Sequence, residues 1–415
     1  MARKKPGRKK NESRLKRKNS LEIDIRLKLQ ETKTQAYKYV PAFAPIECNM
    51  QDGEKLFYVF MRKTVVLVSI IVVMLIIATI LLILHFVQNS GSSDLFPFSI
   101  GIYTYEVLNK YSHVHDPSIG KQVNVGPNIL QKNGNIYPFT QGLLFIDDEH
   151  LIESSGLYAI SFLRKFELNS GKTDMYYNMT SNYFAEGIAL VIEPQTYKKC
   201  IFVLTYKEKA MLVYDFETLE LYHTFEYELD GYGLTSNLDA LHSIEDLKKG
   251  NFALYQRLWA TSGDEYLYEL EIPENFTNVK KLSIMSKVKI TCAGFDIHHV
   301  NELEYHLHSK TIFANIFLTH LILELDITKG SCLKIINLSG LSEKCDNQEE
   351  GRKSRDSILN GIAIDSRNNR EMLPNLLVTG KLWPNMFEIR LVKSSEKLVA
   401  SSVLSEYFKT IGNKL

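Results

Sequence analysis

The sequence predicts an all-β fold, a five-bladed β-propeller, preceded by a basic cytosolic tail and one transmembrane helix. Three observations carry that expectation. From about Phe98 to Leu391 the chain reads as short runs of β-branched and aromatic residues punctuated by turns, and no long amphipathic helical pattern competes. A strand–turn–strand unit recurs with openings near Gly142, Gly187, Gly233, Glu302 and Gly361, and spacings of about 45 to 70 residues match one four-stranded blade each. Ahead of this region lies a long apolar run. A β-sandwich is the competing fold, and it needs fewer strands than the chain offers.

Taken in order, residues 1–63 hold 17 Lys+Arg against 7 Asp+Glu, which leaves 32 against 41 for the remainder of a chain whose formal net charge is +1. This segment reads as a largely disordered basic tail. Thr64 to Val87 is 24 residues without a formal charge, about 36 Å as a helix, enough to cross a bilayer with some tilt. Arg62 and Lys63 precede it and only Asp94 follows within a dozen residues, so the excess of positive charge puts the N-terminus in the cytosol. The expectation is a single-pass type II membrane protein whose C-terminal part faces a secretory lumen or the exterior. A cleaved signal peptide is the alternative for this run, though its apolar core exceeds the usual length of about 7 to 15 residues. Arg3-Lys4-Lys5 and Arg8-Lys9-Lys10 also resemble a nucleic-acid or nuclear-localisation tail. Beside a span, setting topology and touching anionic lipid is the favoured role, and no nucleic-acid partner is expected.

Residues 88–97 read as a linker and 98–415 as the propeller domain. Within it, Ile201–Thr205 with Ala210–Tyr214 and Thr311–Ile316 with Leu321–Leu325 read as β-hairpins. Of five cysteines, Cys48 falls on the cytosolic side, while Cys200, Cys292, Cys332 and Cys345 lie beyond the span and can pair. Proximity in sequence favours Cys332 with Cys345. Sequons at Asn178, Asn275 and Asn337 agree with a secretory route.

The blade openings carry motifs. In order they are Pro138-Phe139-Thr140-Gln141-Gly142, Glu153-Ser154-Ser155-Gly156-Leu157-Tyr158, Phe184-Ala185-Glu186-Gly187, Gly231-Tyr232-Gly233-Leu234-Thr235, Asn301-Glu302-Leu303-Glu304, Asn360-Gly361-Ile362-Ala363 and Thr379-Gly380-Lys381-Leu382-Trp383-Pro384. In this order they resemble the glutaminyl cyclases of the plant and bacterial type, also called glutamine cyclotransferases, a family of five-bladed propellers. The resemblance spans about Pro138 to Ile389. It implies a site at one end of the central channel, no cofactor, and peptides or proteins with N-terminal glutamine as substrates. Carried over by position, the essential acid is Glu186, Gln141 and Asn301 hold the substrate's amide and amine, Lys381 stands on the same rim, and Phe139 and Phe184 are aromatic walls. Tyr206, Tyr232 and Phe317 stand where the family usually has tryptophan, so a stacking wall survives with altered width and hydrogen bonding.

Cyclisation sends the free α-amine of glutamine onto its own side-chain carboxamide carbon, and ammonia leaves. One carboxylate between the two nitrogens can take a proton from the amine and deliver it to the leaving group, a relay worth about 10²- to 10⁴-fold. Glu186 fits that role, and aromatic walls would raise its pKa. Lys381 or the Gln141 and Asn301 amides would meet the developing oxyanion. Outside the motif context, Glu186 and Lys381 would read as surface charges, Asn301 as a turn residue, and Trp383-Pro384 as blade packing. His298-His299 and His306-x-His308 lack a partner cluster of zinc-site spacing, so no metal is expected; the animal-type glutaminyl cyclases, zinc enzymes on another fold, are not resembled. The other function the sequence allows is a membrane-tethered propeller that binds partners without catalysis.

Overall fold

The computed structural model describes residues 100–114, 131–132, 135–238, 255–346, 357–364 and 371–395, with helical positions between 65 and 78 and between 400 and 408. The chain divides into two units, Met1–Leu95 and Phe96–Leu415. Of the expected span at 64–87, Val65, Val68, Val72, Met74, Leu75 and Ala78 are described, helical and exposed, and the rest lies outside the described residues. No helix among the described residues is long and apolar enough to cross a membrane. The expected linker at 88–97 and the tail at 1–63 also lie outside the described residues.

The second unit is all-β and propeller-like. Four consecutive strands form the first blade, Thr140–Phe145, His150–Ser155, Phe162–Glu167 and Thr173–Asn178. Ala185–Ile192, Lys199–Thr205, Ala210–Asp215 and Leu221–Glu226 form the second, and Leu234–Ser236, Leu258–Thr261, Tyr266–Leu270 and Ile284–Lys289 the third. The fourth runs from Val300–His306 through Thr311–Ile316 and Leu321–Asp326 to Cys332–Asn337. Both expected hairpins are present as antiparallel pairs inside the second and fourth blades. The first strands of the blades neighbour one another in a closed circle. Each carries one of the recurring openings or directly follows it, and the glycines there have a steric reason. A Cβ on Gly233 would lie 1.9 Å from the Asn301 carbonyl oxygen of the next blade, closer than any side chain permits.

Tyr214-Asp215 and Leu325-Asp326, which end the third strands of the second and fourth blades, also have a local cause. Asp215 Oδ1 accepts from the backbone N–H groups of Glu217 and Thr218, and Asp326 Oδ1 from those of Thr328 and Lys329. Each carboxylate thereby builds the turn into the outer strand.

Closure comes from the front of the domain. Leu359–Ile364, Leu376–Gly380 and Asn385–Lys393 supply three strands of the last blade, and Gly101–Ser112 supplies the outermost, antiparallel to Asn385–Lys393. Its first residues also run parallel to Lys334–Ile336 of the fourth blade, which fuses two blades into one eight-stranded sheet. His113, just past the strand, is fully buried, with Nδ1 2.9 Å from the Trp383 carbonyl and Nε2 2.8 Å from Glu153 Oε1. Thr140 Oγ1 and Arg164 Nε donate to the same carboxylate at 2.6 and 2.7 Å. Burial alone would raise the Glu153 pKa, but His113 and Arg164 outweigh it and hold the group down at about 2. This cluster clasps the last blade to the first.

The disulfide differs from expectation. Cys292 bonds to Cys332 across 40 residues, while Cys345 is a free, half-buried thiol and Cys200 a free, buried one. Cys332 begins the outer strand of the fourth blade, where its neighbour Ser331 bridges to Thr291; Cys345 closes a 3₁₀ turn, Ser342–Lys344, beside Asn385. Blade register outweighs nearness in sequence. Closing a loop of that size removes about 4 kcal/mol of chain entropy from the unfolded state. Helical positions Ala400, Val403, Leu404 and Phe408 pack on the same core, with Leu404 fully buried.

Candidate functional site

All nine residues expected at the site line one cavity of about 190 Å³, Phe139, Gln141, Phe184, Glu186, Tyr206, Tyr232, Asn301, Phe317 and Lys381, together with Leu318 and Ile358. They come from every blade. Gln141, Glu186 and Asn301 sit on the first strands of the first, second and fourth blades, Tyr206 follows the second strand of the second blade, and Lys381 follows Leu376–Gly380 of the last. The first strands converge on the channel, which makes residues far apart in sequence neighbours at one end of it. The volume is below the roughly 300–1,000 Å³ of drug-sized sites, and suits one side chain with its terminal amine.

Aromatic rings form one wall. Phe139 meets Phe184 edge-on at 6.2 Å between centroids, Phe184 lies 5.6 Å from Tyr206, and Tyr206 lies 6.0 Å from Tyr232. Lys381 is only 5% exposed, and its ammonium stands 4.9 Å from the Phe139 centroid and 5.1 Å from that of Phe317. Ring faces stabilise a cation there, most where water is excluded.

Glu186 is 5% exposed. Burial raises its pKa, the Lys381 charge opposes the rise, and the Glu208 carboxylate adds to it, leaving the group pushed up to about 8. Glu208 itself is held at the rim, where it accepts from the Tyr158 hydroxyl at 2.7 Å. Tyr158 in turn packs 5.3 Å from Phe184. Farther out, Asp230 pairs with both Lys207 and Lys209.

The amides form a second wall. Asn301 is 2% exposed, its Nδ2 donates to Asn360 Oδ1 at 2.7 Å, and its Oδ1 is buried with no partner among the described residues. Gln141, 1% exposed, accepts from Asn360 Nδ2 through Oε1 at 3.4 Å. A carboxyl pushed up to about 8, one ammonium, two amides and an aromatic wall thus share one small space. Such a set can move a proton between two nitrogens and stabilise an oxyanion.

Sequence reasoning passed over Tyr158, Glu208, Leu318, Ile358 and Asn360 as site groups. Tyr158 and Asn360 stood inside recognised motifs without a role, whereas Glu208 lies in a charged turn, Lys207-Glu208-Lys209, that gives no sign of facing a cavity. The histidine pairs fall outside the cavity lining. His298 is 3.6 Å from Glu265, and the buried His306 bonds Ser309 through Nδ1. No group of three His, Cys, Asp or Glu residues among the described residues is arranged to hold a metal ion.

Residues 101–246 and 255–391 match the family model described as glutamine cyclotransferase. The glutaminyl-peptide cyclotransferase of Arabidopsis thaliana is 31% identical over 260 residues, 62% of this chain and 69% of that protein. The crystal structure of Myxococcus xanthus glutaminyl cyclase superposes with a TM-score of 0.51 at 24% identity, over 72% of this chain and all of that one.

Proposed function

Because this chain belongs to the glutamine cyclotransferase family, we propose that it is a glutaminyl-peptide cyclotransferase, converting N-terminal glutamine of peptides or proteins to pyroglutamate with release of ammonia. One observation carries the reading. A carboxyl group pushed up to about 8 shares a cavity with Gln141, Asn301 and Lys381. An α-ammonium has an ordinary pKa of about 7.7–8.0, so passing its proton to Glu186 is close to isoenergetic.

The steps follow from that match. The substrate enters with its amine protonated and meets the Glu186 carboxylate, which takes one proton. The freed amine attacks the side-chain carboxamide carbon, the new C–N bond closes a five-membered ring, and the carbonyl oxygen becomes an oxyanion facing Lys381. The protonated Glu186 then delivers its proton to the departing nitrogen, the C–N bond of the old amide breaks, and ammonia forms. The second proton lost by the ring nitrogen crosses the same carboxyl, and ammonia leaves as ammonium. Tyr206, Tyr232 and Phe317 exclude water, and Asn301 Oδ1 offers an acceptor to an N–H of the substrate. Each proposed step uses side chains alone, which supports the reading of a metal-independent aminoacyltransferase.

We also infer that residues 64–87 anchor the chain as a type II signal anchor, with the propeller in a secretory lumen or outside the cell. Its length, its lack of charge and the flanking Arg62 and Lys63 support this reading.

The test is ammonia release from a short Gln-initiated peptide by the purified full chain, beside Glu186→Gln and with a chelator. The expected result is release that survives chelation and falls by about 10²- to 10⁴-fold in the variant. No release from folded protein, with the peptide still bound, would leave a binding scaffold in place of an enzyme.

A further inference from the structure

Asn301 faces a choice that its own shape does not make. An asparagine amide is nearly symmetric, and turning it over exchanges an acceptor for a donor at the cavity. In this fold the choice is made one residue away. Asn360 Nδ2 points at the Thr140 carbonyl at 2.8 Å and the Gln141 carbonyl at 3.2 Å, groups that can only accept. Its Oδ1 therefore faces the other way, toward Asn301 Nδ2 at 2.7 Å and Asn315 Nδ2 at 3.4 Å. Asn315 is fixed in the same manner, since its Oδ1 accepts from the Glu302 N–H and its Nδ2 donates to the Leu359 carbonyl. Asn301 must then present Nδ2 to Asn360, and its buried Oδ1, without a partner among the described residues, is left as an acceptor on a residue that lines the cavity.

Asn360 and Asn315 are fully buried, where an amide turned the wrong way would set oxygen against oxygen and cost the full penalty of an unmade hydrogen bond. Gly361 lets the backbone come this close. Its φ is +112°, and a Cβ there would lie 2.8 Å from Thr379 Cγ2 and 3.0 Å from Thr140 Cγ2.

We infer that Asn360 is a positioning residue for the substrate's N–H groups: it reads the polarity of the first-blade backbone at Thr140 and Gln141 and imposes it on Asn301, so that Asn301 Oδ1 accepts from the incoming glutamine. The inference deepens the cyclase reading and rests on it. Asn360 itself touches no reacting atom.

The test is a double-mutant cycle on the full chain, with the Kd of a short Gln-initiated peptide from calorimetry and kcat from ammonia release. Asn360→Leu removes the acceptor that holds Asn301 and is expected to weaken binding about tenfold, the worth of one well-made hydrogen bond. In an Asn301→Ala background the same change should move Kd by less than about twofold, because the residue through which it acts is gone. Asn360→Asp keeps an acceptor toward Asn301 and, as the neutral acid between two carbonyls, a donor toward Thr140, and should restore Kd to within about threefold. If Asn360→Leu does not fold, Asn360→Ser, too short to reach Asn301, carries the same cycle. Additive effects on Kd, or wild-type Kd in a folded Leu or Ser variant, would overturn the inference. Wild-type protein that binds the peptide without releasing ammonia would sink the cyclase reading and leave the positioning role standing; no binding by wild type would overturn both.

Discussion

Glu186 differs from an ordinary surface glutamate only in what surrounds it. The side chain is flexible and its intrinsic pKa unremarkable, yet 5% exposure beside the aromatic walls, with Glu208 at the rim, leaves it pushed up to about 8. That value makes a pH prediction. Cyclisation needs one proton shared between Glu186 and the α-amine. Well below pH 8 both groups hold a proton and no base is present; well above it neither does, and the leaving nitrogen finds no acid. The kcat/KM of a Gln-initiated peptide should therefore peak near pH 8 and fall on both sides. Glu208→Gln, which removes a negative charge that raises Glu186, should extend activity toward lower pH. A profile that is flat from pH 5 to 8 would mean an ordinary carboxylate and sink the proton-relay mechanism. Sequence could name Glu186 because its motif neighbours stand in order, but its protonation belongs to burial and Lys381, which no local pattern encodes.

Among elements, the strand Gly101–Ser112 is the one whose role its own sequence conceals. Its alternation reads as one more strand, and nothing local says that it completes the last blade by pairing with Asn385–Lys393, far downstream. Tyr103, Tyr105 and Val107 pack on the core formed by Phe387, Ile389 and Leu391, and the strand covers the edges of both Asn385–Lys393 and Cys332–Asn337. Without it two edges stand open for aggregation. A chain starting at Phe96 should therefore melt cooperatively. One starting at His113 should lose the transition by circular dichroism and elute as aggregate in size-exclusion chromatography. A cooperative, monomeric product from the shorter chain would show that the ring closes without this strand. The blade openings were legible because each glycine or turn answers a steric demand within its own repeat; closure was not, because it pairs the ends of the domain.

For the whole molecule, charge division and fold point the same way. A +10 arm at residues 1–63 precedes an uncharged run and a −9 remainder, and the Cys292–Cys332 bond lies in the second unit, a pairing that an oxidising compartment favours. In sealed microsomes, protease added outside should remove the basic arm and spare the propeller, and alkaline carbonate should leave the chain in the membrane. Digestion of the propeller in intact vesicles, or its release by carbonate, would overturn the type II anchor.

The sequence by itself determined the strand pattern, the glycine-marked blade openings and, through its motifs, nine side chains that line one cavity. Those depend on local sterics and on motifs whose residues serve one chemistry. Tertiary structure decided the rest: that Gly101–Ser112 closes the ring, that Cys332 takes Cys292 in place of Cys345, that the Glu208 charge acts on Glu186, and which end of the Asn301 amide Asn360 holds. Register, dielectric and amide orientation are set by partners from other blades, and only the assembled ring brings those partners within reach.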